Sequence, residues 1–354
     1  MNPAALKTQY KFCKPQAVII IDTDSFTKRD LEKAKFQLDN PFSELGIKNE
    51  VVEAAITTMC KECLKESGLD NKSILRTKNM FALGLVCWLF QRDIKVGEKL
   101  LRDKFAKKPE IAEANVQVLY AGYQFGANTH ASVSMSYRVP CKDQKRPGRY
   151  MDINGNKATA YGLMAAAEKA GLQLYLGSYP ITPATDILHE LAKHKSLGVK
   201  TVQCEDEIAG CASAVGASFA GALAVTTTSG PGVCLKSEAM NLAVITELPL
   251  VIINVQRGGP STGLPTKSEQ TDLLQALYGR NGESPMPVIA ATSPTDCFNA
   301  AYTACKIALE HMTPVVLLTD AYIANGSAAW RLPDLSEYPD ICPPYVTPDM
   351  ASYW

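Results

Sequence analysis

Apolar positions in this chain follow two patterns, and the change between them divides it. Before about residue 135 they recur mostly at helical spacing, around Asp30–Leu38, Ile74–Phe90, Glu98–Ala106 and Ile111–Phe125. The run "VVEAAITTMCKECLKESG" (51–68) reads as a further helix. An exception is "AVIIID" (Ala17–Asp22), a β-branched run ending in an acid, as a buried parallel strand does. Ser136–Asn156 is rich in Pro, Gly and charge without an apolar period, which predicts an extended connector.

From Lys157 short apolar runs alternate with helical stretches. The strands expected are "LQLYLGSY" (Leu172–Tyr179), "ALAVTTT", "LVIINVQ", "PVIAAT" and "PVVLLTD" (Pro314–Asp320). Between them fall the helix "ATDILHELAKHK", a Gly/Ala-rich helix after "QCEDEIAG", and helices near Lys236–Glu247 and Ser268–Leu277. The N-capped "SPTDCFNAAYTACKIALEHM" gives the last of the series. Such alternation predicts an α/β fold with a doubly wound parallel sheet. The domains are thus expected over 1–135 and 157–335, with connectors over 136–156 and 336–354. Ligands of such sheets bind beyond the carboxyl ends of the strands. The loops "YPITP", "TSGPG" and "QRGGPSTG" follow strands and are therefore expected on one rim.

Composition narrows the partners. Lys and Arg total 36 against 36 Asp and Glu, with no block of one sign, which argues against nucleic acid and anionic membranes. The longest apolar runs fall short of the roughly 20 residues a membrane span needs. No signal-peptide core opens the chain, so its 11 cysteines are expected as reduced thiols in the cytoplasm. Only Cys60 and Cys63 have C-x-x-C spacing, so neither a metal site nor an iron–sulfur cluster is expected on this chain's own cysteines.

The rim loops carry the candidate chemistry. In "GSYPITPATD", Thr182 precedes Pro183 and fits a helix N-cap, while Pro180 stiffens the approach. A rigid hydroxyl at a helix start also suits a carboxylate ligand, and both readings stand. Glu205, Asp206 and Glu207 head a helix whose Gly, Ala and Ser residues imply close backbone packing. For Glu205 and Asp206, complementing the helix dipole is explanation enough. Glu207 leads into the buried stretch and needs a partner there. Ser229 and Gly230 lie in "TSGPG", a tight turn that lets another group approach the backbone closely. Arg257 stands at a strand end before two glycines, a charged fork able to grip a carboxylate. Thr262, Thr266 and Lys267 follow in the same loop.

Together, "YPITP", "EDEIA", "TSGPG" and "QRGGPSTGLPTKSEQ", in this order, resemble the α subunit of 2-oxoacid:ferredoxin oxidoreductases, most closely the 2-oxoglutarate branch. "NPAALK", "KNMFALGL", "KFAKKPEIAEAN" and "AGYQFG" resemble the γ domain fused ahead of the α domain in that branch. The γ domain of the family begins upstream of "NPAALK" and the α subunit continues through a further domain, so the chain is expected to be the middle of a longer subunit.

The resemblance implies a thiamine diphosphate pyrimidine-binding domain preceded by a partial γ domain. It implies a cofactor shared with a β subunit that carries the diphosphate, Mg2+ and a [4Fe-4S] cluster. It also implies decarboxylation of a 2-oxoacid, with coenzyme A and ferredoxin as acceptors. By motif position Glu207 matches the glutamate that bonds the pyrimidine ring nitrogen, Pro180 a cofactor contact, and Thr182 and Arg257 substrate contacts. Thr262 is assigned to the substrate and Ser229 and Gly230 to the cofactor. A pyruvate or broader 2-oxoacid enzyme is the nearest alternative. A non-catalytic scaffold would need none of Glu207, Thr182 and Arg257, and a nicotinamide dehydrogenase would need a G-x-G-x-x-G that no strand here precedes.

Overall fold

A computed structural model describes residues 1–129, 137–138 and 146–344. It divides the chain into two units, Met1–Lys145 and Arg146–Trp354. The elements of the first are α1 (Pro3–Gln9), β1 (Ile19–Asp22), α2 (Lys28–Lys33), α3 (Pro41–Glu44), β2 (Val51–Ala54) and α4 (Ile56–Cys63). They continue as α5 (Asn71–Arg76), α6 (Lys78–Leu89), α7 (Ile94–Lys104) and α8 (Pro109–Thr129).

The helix expected over 51–68 is corrected at its start. Val51–Ala54 pairs in parallel with β1, because its β-branched residues extend the apolar edge that "IIID" offers. Asp22, at the end of β1, accepts the Ile56 amide at 3.1 Å and pairs with Lys78 at 2.7 Å. Helices α6 and α8 cross backbone to backbone: a Cβ on Gly84 would lie 2.0 Å from the Leu119 carbonyl, and one on Gly122 2.0 Å from that of Phe81.

The second unit runs β3 (Tyr150–Asn154), α9 (Gly155–Ala170), β4 (Leu174–Ser178), α10 (Thr185–Leu191), β5 (Lys200–Gln203), α11 (Glu207–Phe219) and β6 (Leu223–Thr228). It continues with α12 (Gly230–Ile245), β7 (Leu250–Gln256), α13 (Leu273–Tyr278), β8 (Val288–Ala290), α14 (Asp296–His311), β9 (Pro314–Asp320), α15 (Ala321–Asn325) and β10 (Ser327–Arg331). The connector expected over 136–156 is corrected too. Its end forms β3, which pairs antiparallel with β10, and α9 begins at Gly155. Residue 136 and residues 139–145 of that connector lie outside the described residues.

Six strands form a parallel sheet in the order β5-β4-β6-β7-β9-β8. Successive residues point to opposite faces, and each face has its own helices. Leu223, Val225, Val251, Ile253, Val315 and Leu317 pack with α9, α10 and α14. Ala224, Leu250, Ile252, Val316 and Leu318 pack with α11, α12 and α13. Two-sided burial is why these strands read as unbroken apolar runs. From β4 the chain moves outward to β5, then returns across to β6 on the other side. The strand order therefore reverses between β4 and β6, and their carboxyl ends open the crevice where such sheets bind ligands.

Candidate active site

The ends of β4, β6 and β7 lie side by side, so "YPITP", "TSGPG" and "QRGGPSTG" do share one rim. At the crevice, the Tyr179 hydroxyl lies 2.9 Å from the Thr228 hydroxyl, joining β4 to β6. Just below, the Ser178 and Thr227 hydroxyls meet at 2.6 Å.

Glu207 opens α11, whose cap is Asp206: its carboxylate accepts the Ala209 amide at 2.8 Å. Asp206, expected as a dipole complement in the first turn, is instead the N-cap, and Glu205 is exposed ahead of the helix. The small residues of α11 let it approach β4 closely, since a Cβ on Gly177 would lie 2.4 Å from the Gly210 carbonyl. Glu207 is thereby half-buried beside the crevice. A Cβ on Gly232 would stand 2.1 Å from Thr228 Oγ1, 2.3 Å from the Tyr179 hydroxyl and 2.8 Å from Glu207 Cγ. One glycine thus marks where the acid, the phenol and the Thr hydroxyl converge. Burial pushes the Tyr179 pKa up, the Thr228 bond pulls it down, and hydrogen bonding and charge from Glu207 raise it further.

"TSGPG" is corrected from a separate turn to the start of α12, which begins at Gly230, ahead of the expected Lys236. Pro231 is tolerated because a first-turn amide has no helical partner to lose. Ser229 sits at the N-cap without a capping bond, and its hydroxyl is buried with no partner among the described residues. Gly230 abuts the Asp272 carboxylate, which also accepts from Asn254 at 2.9 Å.

Thr182 does not cap a helix. α10 begins at Thr185 after Ala184, with no side-chain capping bond, and the Thr185 hydroxyl accepts the Ile181 amide at 2.7 Å in the turn ahead of the helix. Thr182 and Pro180 are both exposed at the rim. Arg257 is 8% exposed, and its two terminal nitrogens donate to the Thr182 carbonyl at 2.7 Å and the Thr262 carbonyl at 2.8 Å. The fork expected to reach for a carboxylate thus first ties two rim loops together. Its Nε is buried without a partner among the described residues. Thr262, Thr266 and Lys267 are exposed on a loop closed by a bond from the Gly258 amide to the Lys267 carbonyl at 2.8 Å.

The sequence reading passed over Tyr179, Thr228, Gly232 and Lys236. In the sequence Tyr179 is marked only as the last residue of an expected strand. No signal marked Lys236, a lysine in a helix. Among the described residues no three His, Cys, Asp or Glu side chains gather as a metal-binding set. Nor is any helix there long and apolar enough to cross a membrane.

Residues 165–351 match the family described as "Pyruvate flavodoxin/ferredoxin oxidoreductase, thiamine diP-bdg". Residues 1–125 match "Pyruvate ferredoxin/flavodoxin oxidoreductase". The 2-oxoglutarate oxidoreductase subunit KorA of Mycobacterium tuberculosis is 52% identical over 98% of this chain and 53% of its own length. The 2-oxoglutarate synthase subunit KorA of Archaeoglobus fulgidus is 44% identical over 52% of each. The chain therefore spans about half the length of the curated relatives it matches. A solved 2-oxoglutarate:ferredoxin oxidoreductase from Magnetococcus marinus, with 2-oxoglutarate, coenzyme A and succinyl-CoA bound, superposes with a TM-score of 0.79. It is 30% identical over 98% of this chain and 56% of its own. The rim suits a thiamine diphosphate-binding domain on its own geometry. It offers a half-buried carboxylate, an unpartnered buried hydroxyl at Ser229, and helix backbone kept bare by Gly230 and Gly232.

Proposed function

The chain belongs to the pyruvate flavodoxin/ferredoxin oxidoreductase family with a thiamine diphosphate-binding domain, and from that premise we propose that it is the α part of a 2-oxoglutarate:ferredoxin oxidoreductase. The reaction is 2-oxoglutarate, coenzyme A and two oxidised ferredoxins going to succinyl-CoA, carbon dioxide, a proton and two reduced ferredoxins. One observation carries the reading: Glu207, Tyr179 and Thr228 converge on Gly232 at the crevice between β4 and β6.

Thiamine diphosphate, when bound, supplies the carbon nucleophile that makes decarboxylation of a 2-oxoacid possible. The residues of this chain bind and orient. Glu207 holds a proton against the pyrimidine ring nitrogen, a task that suits a carboxylate only partly in water, because screening weakens an exposed one. Ser229, Gly230 and Pro180 line the cofactor's path. The substrate carboxylate meets Thr182 and the loop that carries Thr262, both held in place by Arg257. A second chain completes the site with the diphosphate end, Mg2+ and a [4Fe-4S] cluster. The assembly works in the cytoplasm with ferredoxin as electron acceptor.

Kinetics on the assembled enzyme with 2-oxoglutarate, pyruvate and a branched-chain 2-oxoacid test the substrate. The expected result is kcat/KM highest for 2-oxoglutarate by about tenfold or more, the scale on which binding a further carboxylate discriminates. Equal or higher values for pyruvate refute the assignment. Arg257→Ala should raise KM for 2-oxoglutarate about tenfold, because charge-assisted bonds of about 1.5–3 kcal/mol to both loops are lost. An unchanged KM would remove Arg257 from the substrate end.

A further inference from the structure

Helix α12 presents Gly232 and Lys236 one turn apart on one face. Gly232 meets Glu207, Tyr179 and Thr228; Lys236 lies a turn deeper, at 0% exposure. Its ammonium donates to the Thr226 hydroxyl at 2.6 Å and the Thr227 carbonyl at 3.3 Å, and stands 5.4 Å from the Tyr179 ring centre. All three partners are uncharged.

Burying an ammonium on neutral partners is costly, and burial brings the Lys236 pKa down to about 8. Cys211, Glu207 and Cys204 act in the opposite direction. Burial pushes the Cys211 thiol up to about 11, so it carries no charge near neutrality. Thiols as a class are far weaker acids than carboxylates. Of the three groups that act on the lysine, Glu207 is the carboxylate, and Gly232, one turn from Lys236, stands against it. The position lies among Val233, Ala239 and Met240 in the apolar core, where Met or Leu would be less costly. A charge kept at such a place, next to a catalytic acid, points to function.

We propose that Lys236 is a positioning residue for Glu207: a buried counter-charge, set beneath Tyr179 and one helical turn from Gly232, that holds the Glu207 side chain in place at the head of α11. It rests on the role given to Glu207 above. The competing role is a strut between α12 and β6, for which the hydrogen-bond donor matters and the charge does not.

Coupling between two charges is reciprocal, so Glu207 can be removed and Lys236 observed. In the assembled enzyme, with lysine carbon-13 labelled at Cε, Lys236 is the signal titrating near pH 8, below exposed lysines. Its loss in Lys236→Gln or Lys236→Met confirms the assignment. In Glu207→Gln its midpoint should fall by about half a pH unit or more. An unmoved midpoint overturns the proposal. Lys236→Gln keeps a donor for Thr226 without the charge, and should lower kcat about tenfold with KM changed less than about twofold. Wild-type kcat there favours the strut and overturns the counter-charge. Should both lysine variants fail to assemble, the midpoint shift in Glu207→Gln still decides. That shift is read without turnover, so its absence in an inactive Glu207→Gln enzyme sinks only this inference. A fully active Glu207→Gln enzyme sinks the functional reading instead.

Discussion

Glu207→Gln in the assembled enzyme should cut 2-oxoglutarate-dependent viologen reduction about a hundredfold or more, the usual scale for loss of an acid–base group. Glutamine keeps the shape and can still bond the Tyr179 hydroxyl, but it cannot trade a proton with a ring nitrogen. Because the position is half-buried at the first turn of α11 and Asp206 does the capping, folding and assembly should persist. The measurements are kcat, complex assembly by size-exclusion chromatography, and the melting temperature. Turnover close to wild type in an intact complex would remove Glu207 from the chemistry, and the functional reading with it.

The parts of this site that were legible in the sequence are those the backbone dictates. β6, β7 and β9 are buried on both faces, so "LAVTTT", "LVIINVQ" and "PVVLLTD" appear as unbroken apolar runs, and parallel pairing puts the loops after them on one rim. The Gly/Ala-rich pattern of α11 showed in advance that its head would be partly buried. Contacts made across the sequence were not legible. β3 is recognisable only through β10, at the far end of its unit, and a two-stranded edge ribbon needs little apolar pattern. "TSGPG" looks like a loop, because Gly and Pro are common there, although Pro fits a first helical turn equally well. The lysine in "CLKSEAM" looks like one facing solvent. Its burial follows from lying one turn beyond Gly232, beneath a tyrosine that arrives from another strand. Arg257 stands just past the end of β7, as its sequence position implies, but the carbonyls its fork ties together belong to loops whose meeting only the fold decides.

The same convergence makes Gly232→Ala the sharper test, because it adds one carbon and removes no functional group. That carbon would lie 2.1 Å from Thr228 Oγ1, 2.3 Å from the Tyr179 hydroxyl and 2.8 Å from Glu207 Cγ, far inside contact distance. All three neighbours are side chains, so they can swing aside while the sheet and α12 stay put. Ala also favours a helix over Gly by about 1 kcal/mol, against an overpacking cost of about 1–3 kcal/mol. The fold should therefore survive with a small loss of stability. Glu207 should not keep its place, and a displacement of about 1 Å in a catalytic group can cost about a hundredfold. Gly216→Ala in α11 is the matched control: nothing lies within 4 Å of its added Cβ, so kcat should hold and the melting temperature rise slightly. If Gly232→Ala turns over like wild type, the three side chains do not act together at that glycine. If it loses turnover while binding thiamine diphosphate and melting near the wild-type temperature, the defect lies in the aim of the carboxylate.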